Sequence, residues 1–237
     1  MKIALLGYGK MGKVIEKIAL SRGHEIVLRK SSSDSFDGIE NADVIIEFSA
    51  PNAAVTNITA ALNAGIPVVS GTTGWLDDYH KMADLCQQKN TAFIYGSNFS
   101  LGVNIFFELN NYLSKLMSKF NQYTVKMQEI HHTQKLDAPS GTAISLANSI
   151  ISNSQYNSWT LDENNESNQI FIDAQRTENV PGTHTIFYDS MVDTIAIQHI
   201  AHNREGFAIG AVIAAEWILN KKGVYTMKDV LDLNDIV

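Results

Sequence analysis

The chain has 237 residues, enough for one large or two modest domains, with 45% hydrophobic and 18% charged residues, the balance of a globular protein with a sizeable core. Its net charge of -7 argues against a general nucleic-acid binder, which needs a basic surface, and requires any anion site to be locally positive. One cysteine, Cys86, leaves no intramolecular disulfide and fits a reducing compartment. No cleavage-site pattern and no run of about 18 apolar residues appear, so the expected location is the cytoplasm with no membrane partner.

Ile3-Ala4-Leu5-Leu6 is short and continuously apolar, as a strand buried on both faces would be. Gly7-Tyr8-Gly9-Lys10-Met11-Gly12 follows at once. Met11, Val14, Ile15, Ile18 and Ala19 then recur at helical spacing up to Arg22-Gly23, and residues 24–28 form a second strand. This is a βαβ unit with Gly-x-Gly-x-x-Gly in its required context. Gly7 permits the tight turn, Gly9 lets backbone approach a pyrophosphate, and Gly12 lets helix pack on strand. The helix start offers unpaired N–H groups and a positive dipole end to phosphates. Past the second strand comes Arg29-Lys30-Ser31-Ser32-Ser33, with no acid to bind a ribose hydroxyl. The reading leans to NADPH, with Arg29 or Lys30 at the 2′-phosphate and NADH still possible.

Further strands are expected at 42–48, 66–70 and 91–95, with a helix over 52–64 that Gly65 stops. Gly71-Thr72-Thr73-Gly74 follows one strand and precedes a helix starting near Leu76, and Gly96-Ser97-Asn98-Phe99-Ser100 follows another. Both lie where parallel sheets bind ligands. Tyr79, Met82, Ala83 and Cys86 share an apolar helix face, which makes Cys86 a core thiol rather than a nucleophile.

In the second half, residues 101–117 read as a linking helix and 123–130 as a half-buried strand. At that strand's end lie His131-His132, Lys135 and Asp137, then Pro139 and a helix over 140–151. Ser140, Gly141 and Thr142 open that helix, where N–H groups and hydroxyls can hold a carboxylate. Asp137 is an alternative cap. Adjacent histidines on a strand point to opposite faces, so one of the two can be purely structural. A metal site is not expected: the imidazoles are contiguous and no cysteine or clustered carboxylate completes a ligand set. Lys135 can neutralise an anion or deliver a proton. Residues 153–168 read as a polar loop. Strands at 169–174, 183–188 and 193–201 would join the one at 123 in a four-stranded, mostly antiparallel or mixed sheet, with one face open to a partner subunit. The apolar helix at 206–219 returns the chain to the first domain. The expected fold is α/β: a Rossmann-type parallel-sheet domain (1–102 and 205–237) for the dinucleotide, with an inserted α+β domain (103–204) for substrate binding and oligomerisation.

The segment His131-His132-x-x-Lys135-x-Asp137-Ala138-Pro139-Ser140-Gly141-Thr142 is highly specific. With Gly7–Gly12, Gly71–Gly74, Ser97-Asn98-Phe99-Ser100-Leu101-Gly102-Val103, Gly182-Thr183-His184, and Arg204 with Phe207, the chain resembles the 4-hydroxy-tetrahydrodipicolinate (dihydrodipicolinate) reductase family nearly end to end. The resemblance implies hydride transfer from a nicotinamide to C4 of a cyclic dicarboxylate, loss of water there, and protonation of the neighbouring carbon. By the same resemblance His131 is a proton donor or acceptor and Lys135 its partner acid. His132 and Lys135 meet one carboxylate, and Ser140, Gly141 and Thr142 the other. Phe48, Gly71, Thr72, Thr73, Ser97, Asn98 and Phe99 serve the cofactor, as do Gly7, Tyr8, Gly9, Lys10, Met11 and Gly12. Arg204 and Phe207 lie near the cofactor or hinge, and members are commonly homotetramers. The chain departs from the family's pattern in Glu47 for the usual Asp, Glu178 for a frequent glycine, and the absence of an acid after the second strand. The competing readings are another NAD(P)-dependent dehydrogenase of this architecture, of which the semialdehyde type needs a reactive cysteine, and a nucleotide-sensing module without turnover.

Overall fold

The computed structural model describes residues 1–163, 166–203 and 205–234. Two compact units form: one runs from Met1 to Leu101 and resumes at Glu205, and the other begins at Gly102 and fills the interval.

The first unit alternates strand and helix: β1 (Lys2–Leu6), α1 (Lys10–Ser21), β2 (Glu25–Lys30), β3 (Val44–Glu47), α2 (Pro51–Asn63), β4 (Val68–Ser70), α3 (Tyr79–Gln88) and β5 (Ala92–Tyr95). The six-stranded sheet has the order β11-β5-β4-β3-β1-β2, where β11 is Gly223–Tyr225, and all its pairings are parallel. Strand alternation sends Ile3 and Leu5 to one face and Ala4 and Leu6 to the other. The first pair packs with Ile15 and Ala19 of α1, and the second with Ile58 and Leu62 of α2 and Cys86 of α3. Burial on both faces explains why these strands read as continuous apolar runs. Two further elements belong to this unit: α6 (Glu205–Ile218), packed on α1, and the short α7 (Met227–Val230). Strand order reverses at β1, which has β2 on one side and β3 on the other. The crevice past the ends of β1 and β3 is therefore the topological switch point, the usual ligand position in such sheets.

The second unit holds α4 (Leu101–Met117, whose first residue the first unit claims), β6 (Thr124–His131), α5 (Gly141–Asn153), β7 (Ser158–Thr160), β8 (Gln169–Arg176), β9 (Gly182–Asp189) and β10 (Thr194–Ala201). The sheet has five strands, not the expected four, in the order β10-β9-β6-β8-β7. Residues 153–168, expected as a loop, contain the extra edge strand β7, too short to leave a periodic signature. The sheet is mixed, since β6 runs parallel to β8 and antiparallel to β9. One face carries Met127, Ile172, Ile186 and Tyr188, which pack with Phe106 of α4 and Leu146, Ala147 and Ile150 of α5. The alternate residues Gln128, Thr185, Phe187 and Gln198 contribute nothing to that core. Among the described residues no helix is long and apolar enough to cross a membrane.

Candidate active site

In the first unit the site begins at the glycine loop. Gly7 has φ of +101°, and the N–H groups of Gly7 and Tyr8 both donate to the Lys30 carbonyl, tying the loop to the end of β2. A Cβ on Gly7 would stand 2.1 Å from the Phe48 carbonyl oxygen, and one on Gly12 would stand 2.4 Å from that of Gly7. Close approach of loop to strand and of helix to loop forces both glycines. A Cβ on Gly9 meets nothing within 4 Å, so the second glycine of the motif faces open space. Gly9 is also the N-cap of α1 and supplies no side-chain cap, so the first turn presents backbone N–H groups there. Lys10 lies exposed at the start of that helix, with Met11 half-buried beside it. This bare cradle fits a pyrophosphate.

Strand β2 continues two residues past its expected end, so Arg29 and Lys30 belong to it. Their side chains have different fates. Lys30 is buried, with its ammonium 4.7 Å from the centre of the Phe36 ring and bonded to the Ser31 carbonyl. Arg29 is exposed, and its Nε donates to Glu16 at 2.7 Å, while the Tyr8 hydroxyl bonds the same carboxylate. Arg29 first, then Tyr8, holds the Glu16 carboxyl below its ordinary range. An acid thus stands beside the β2 tip after all, supplied by α1.

Glu47, at the end of β3, is fully buried and organises the turns around it. It accepts from Ser70 Oγ at 2.7 Å, Thr72 Oγ1 at 2.9 Å, and the Ser49 backbone and hydroxyl. Thr72 is buried with its hydroxyl committed to this acid, whereas Thr73 and Ser97 are exposed. Asn98 is buried, with Oδ1 accepting from Ser100 N. Phe48 and Phe99 pack ring to ring at 5.6 Å, and the Phe48 ring lies so close to Gly71 that a Cβ there would overlap it at 2.2 Å. Phe207 is half-buried in α6, and Arg204 lies outside the described residues. Cys86 is buried, its thiol facing the carbonyls of Thr91 and Gly223 at 3.3 and 3.5 Å, and burial raises its pKa. It offers no nucleophile.

In the second unit the strand register builds the site. Glu129 and His131 are two apart on β6 and share the helix-covered face. Glu129 lies opposite His184 on β9, and His131 opposite Arg176 on β8. Glu129 is fully buried. It accepts from Ser140 N at 3.1 and 3.0 Å, from the Ser140 hydroxyl, and from Nη1 and Nη2 of Arg176, each at 3.3 Å. Ser140 is the N-cap of α5, accepting from Ala143 N at 3.2 Å, so Asp137 does not cap this helix. Asp137 instead receives both 2.8 Å bonds from the Lys135 ammonium, which holds its carboxyl below the usual range. The carboxylate on the Ser140 N–H is therefore the chain's own. Gly141 is exposed beyond it on the first turn, and Thr142 is half-buried.

The two motif histidines part company. His131 is buried, its ring edge-to-face with that of His184 at 5.1 Å. Its Nε2 would be 3.1 Å from a Cβ on Gly182, so the bare backbone there makes room for the imidazole. Burial lowers the His131 pKa, with Glu129 opposing and Lys135 and Arg176 adding to the fall. Burial first, and then His131, His199 and Lys135, pushes His184 down to about 3. His132 instead lines an open cavity of about 620 Å³ with Gln134, Glu178, Asn179, His202 and Asn203 among its walls. Glu129, His131 and His184 offer three donor atoms within 4.8 Å. With the Arg176 guanidinium and Ser140 already on the carboxylate, that set suits hydrogen bonding better than a metal ion.

Glu129, Arg176 and His184 escaped the sequence reading as site residues. The available signal was the two-residue spacing of Glu129 and His131, which places an acid beneath the imidazole. His202 gave no local signal at all.

The family model described as "Dihydrodipicolinate reductase, N-terminus" matches residues 1–99, and "Dihydrodipicolinate reductase, C-terminus" matches residues 102–231. A relative from Christiangramia forsetii, named 4-hydroxy-tetrahydrodipicolinate reductase, is 54% identical over 98% of both chains. One of the same name from Archaeoglobus fulgidus is 34% identical over 98% of this chain and all of its own. Among solved structures, a dipicolinate-bound dihydrodipicolinate reductase from Paenisporosarcina sp. TG-14 superposes with a TM-score of 0.74, covering 95% of this chain and 97% of that one. At 21% identity the likeness is one of fold.

Proposed function

Because the chain belongs to the dihydrodipicolinate reductase family, we propose how its own residues divide the work of that reaction. The chain is an NAD(P)H-dependent oxidoreductase that reduces 4-hydroxy-tetrahydrodipicolinate to tetrahydrodipicolinate with loss of water, a step of diaminopimelate and lysine biosynthesis. The observation that carries the reading is the succession of His131 at the end of β6, His132 and Lys135 in the turn that follows, and the serine-capped start of α5.

Bound NAD(P)H supplies the hydride that reaches C4 of the substrate. The bare first turn of α1 holds the pyrophosphate, with Gly7, Gly9 and Gly12 bringing backbone close and Tyr8, Lys10 and Met11 flanking it. Phe48, Gly71, Thr73 and Ser97 border the nicotinamide end. Thr72, Asn98 and Phe99 shape those turns from within, since all three are buried. Phe207 and Arg204 complete the cofactor set. NADPH is the favoured form, with Arg29 rather than buried Lys30 meeting the 2′-phosphate, and NADH also accepted.

In the second unit His132 faces the cavity, and with Lys135 it takes one substrate carboxylate, which displaces Asp137 from the ammonium. The other carboxylate lies over the first turn of α5 at Gly141 and Thr142, with Ser140 supporting that turn from beneath. Lys135 donates the proton to the carbon beside the reduced one. As water is lost, His131, whose neutral form burial favours, takes the proton that leaves the neighbouring carbon and returns it to the departing C4 hydroxyl; Lys135 then recovers from solvent the proton it gives to that carbon after hydride transfer. Positioning of donor and acceptor supplies much of the rate. The sheet face bearing Phe187, Gln198 and Ile200 is the contact of a cytoplasmic homotetramer.

The test is oxidation of NADPH and, in parallel, NADH by the purified chain with enzymatically generated substrate. Turnover with the higher kcat/KM for NADPH is expected. A folded chain that binds NADPH tightly and turns nothing over would sink the reading.

A further inference from the structure

We propose that Glu129 is a positioning residue of this reduction: one internal carboxylate that fastens the Lys135–Asp137 turn and the first turn of α5 to the end of β6, and faces the His131 ring. The proposal rests on the functional reading above.

A fully buried acid in a helix-covered sheet face is costly unless donors surround it. Here the donors come from two arms of the motif. Ser140 gives its N–H and its hydroxyl, which fixes where α5 starts. Arg176 gives two N–H groups to Glu129 and then turns outward, with Nε on the Lys135 carbonyl at 3.3 Å and Nη2 on the Asp137 carbonyl at 2.5 Å. The guanidinium thus clamps the backbone of the turn that presents Lys135. Remove the carboxylate and both arms lose a common anchor.

The same carboxylate faces His131. Nδ1 of that ring is buried with no hydrogen-bond partner among the described residues, 3.6 Å from Oε2 of Glu129. That is just beyond bonding distance, so a small rotation of the imidazole closes it once the ring takes a proton. On the other side His184 Nε2 stands 3.2 Å from the Ser140 hydroxyl and 3.7 Å from Glu129. His184 stays neutral, because its pKa is depressed to about 3, and leaves the charge response to Glu129. The charged groups facing His131 are then Glu129 and Asp137, which favour its protonation, and Lys135 and Arg176, which oppose it.

A purely architectural role and a positioning role differ in sign. In Glu129→Gln the amide keeps much of the hydrogen-bonding shape but not the charge. The His131 titration, read from its imidazole Cε1–H resonance, should move to lower pH, with kcat down at least about tenfold and NADPH affinity kept. Arg176→Gln, with Glu129 intact, should move the same titration to higher pH and also lower kcat. Glu129→Asp should recover part of the Gln variant's lost kcat. Full kcat in Glu129→Gln, or no movement of His131 in either variant, or movement in the same direction in both, would overturn the proposal. Should Glu129→Gln fail to fold, judged by melting and NADPH binding, Arg176→Gln decides alone: an upward shift supports the proposal and an unmoved resonance refutes it. A wild-type chain without turnover would refute the reductase reading instead, and the opposed titration shifts would still be legible.

Discussion

Lys135 is the proposed point at which positive charge meets chemistry in an acidic protein. Its ammonium is held by Asp137, and the turn beneath it by Arg176. Lys135→Ala should lower kcat by about 10²–10⁴-fold, the usual worth of a positioned acid, and leave NADPH affinity largely intact. Stopped-flow turnover beside fluorescence titration of the cofactor would check this, and near-normal turnover would remove Lys135 from the chemistry. His184 gives a stability prediction. Burial pushes its pKa from the ordinary 6.5 down to about 3, so above pH 6.5 both states are neutral and no pH dependence arises from it. Below pH 6.5 the unfolded chain takes up a proton that the native chain refuses. Native stability then falls by up to about 1.4 kcal/mol per pH unit and levels off near pH 3. Urea midpoints at pH 7 and pH 5 should show the loss, and His184→Gln should flatten it. The motif residues His131, His132, Lys135 and Ser140 were visible in the sequence because they are adjacent. Glu129, Arg176 and His184 converge through strand register, which no local window displays.

At the scale of elements, the glycine loop and its βαβ frame were legible because Gly7 and Gly12 are each forced by a contact that sequence order already implies, while Gly9 is left bare at the start of α1. The end of β2 was not. Two charged residues looked like loop, yet parallel pairing of Leu5 with Arg29 and Leu6 with Lys30 carries the strand through them. Their division, one cation buried over Phe36 and one exposed on Glu16, depends on partners elsewhere in the chain. Arg29→Ala should therefore raise KM for NADPH about tenfold and barely change that for NADH. Equal changes for both cofactors would take Arg29 away from the 2′-phosphate. The elements missed altogether, β7, β11 and α7, are three or four residues long, too short for periodicity to register. They form by pairing or packing on neighbours, a tertiary cause rather than a local one.

At the scale of the whole molecule, the second unit has a sheet on which, among the described residues, helices pack on one face only. The other face carries Phe187, Ile200 and a set of bonded polar side chains, Gln128 to Asp173 and Gln198 to Thr185. Ile200 is 52% exposed near the last residue of edge strand β10, and the turn that leads into the strand's other end leaves Met191 and Val192 open to solvent. If this face is the subunit contact, Ile200→Asp should shift the species seen by light scattering from tetramer towards a smaller one. An unchanged mass would place the contact elsewhere. The sequence foretold an open face but not its extent, because the edge strand β7 was hidden in a polar stretch. Finally, the sole thiol is sealed beneath the first unit's sheet, with its reactivity suppressed by burial. The native chain is thereby a ready host for a single reporter. A cysteine placed at Leu136, which is 97% exposed between Lys135 and Asp137, would carry a fluorophore to the motif itself without first removing Cys86.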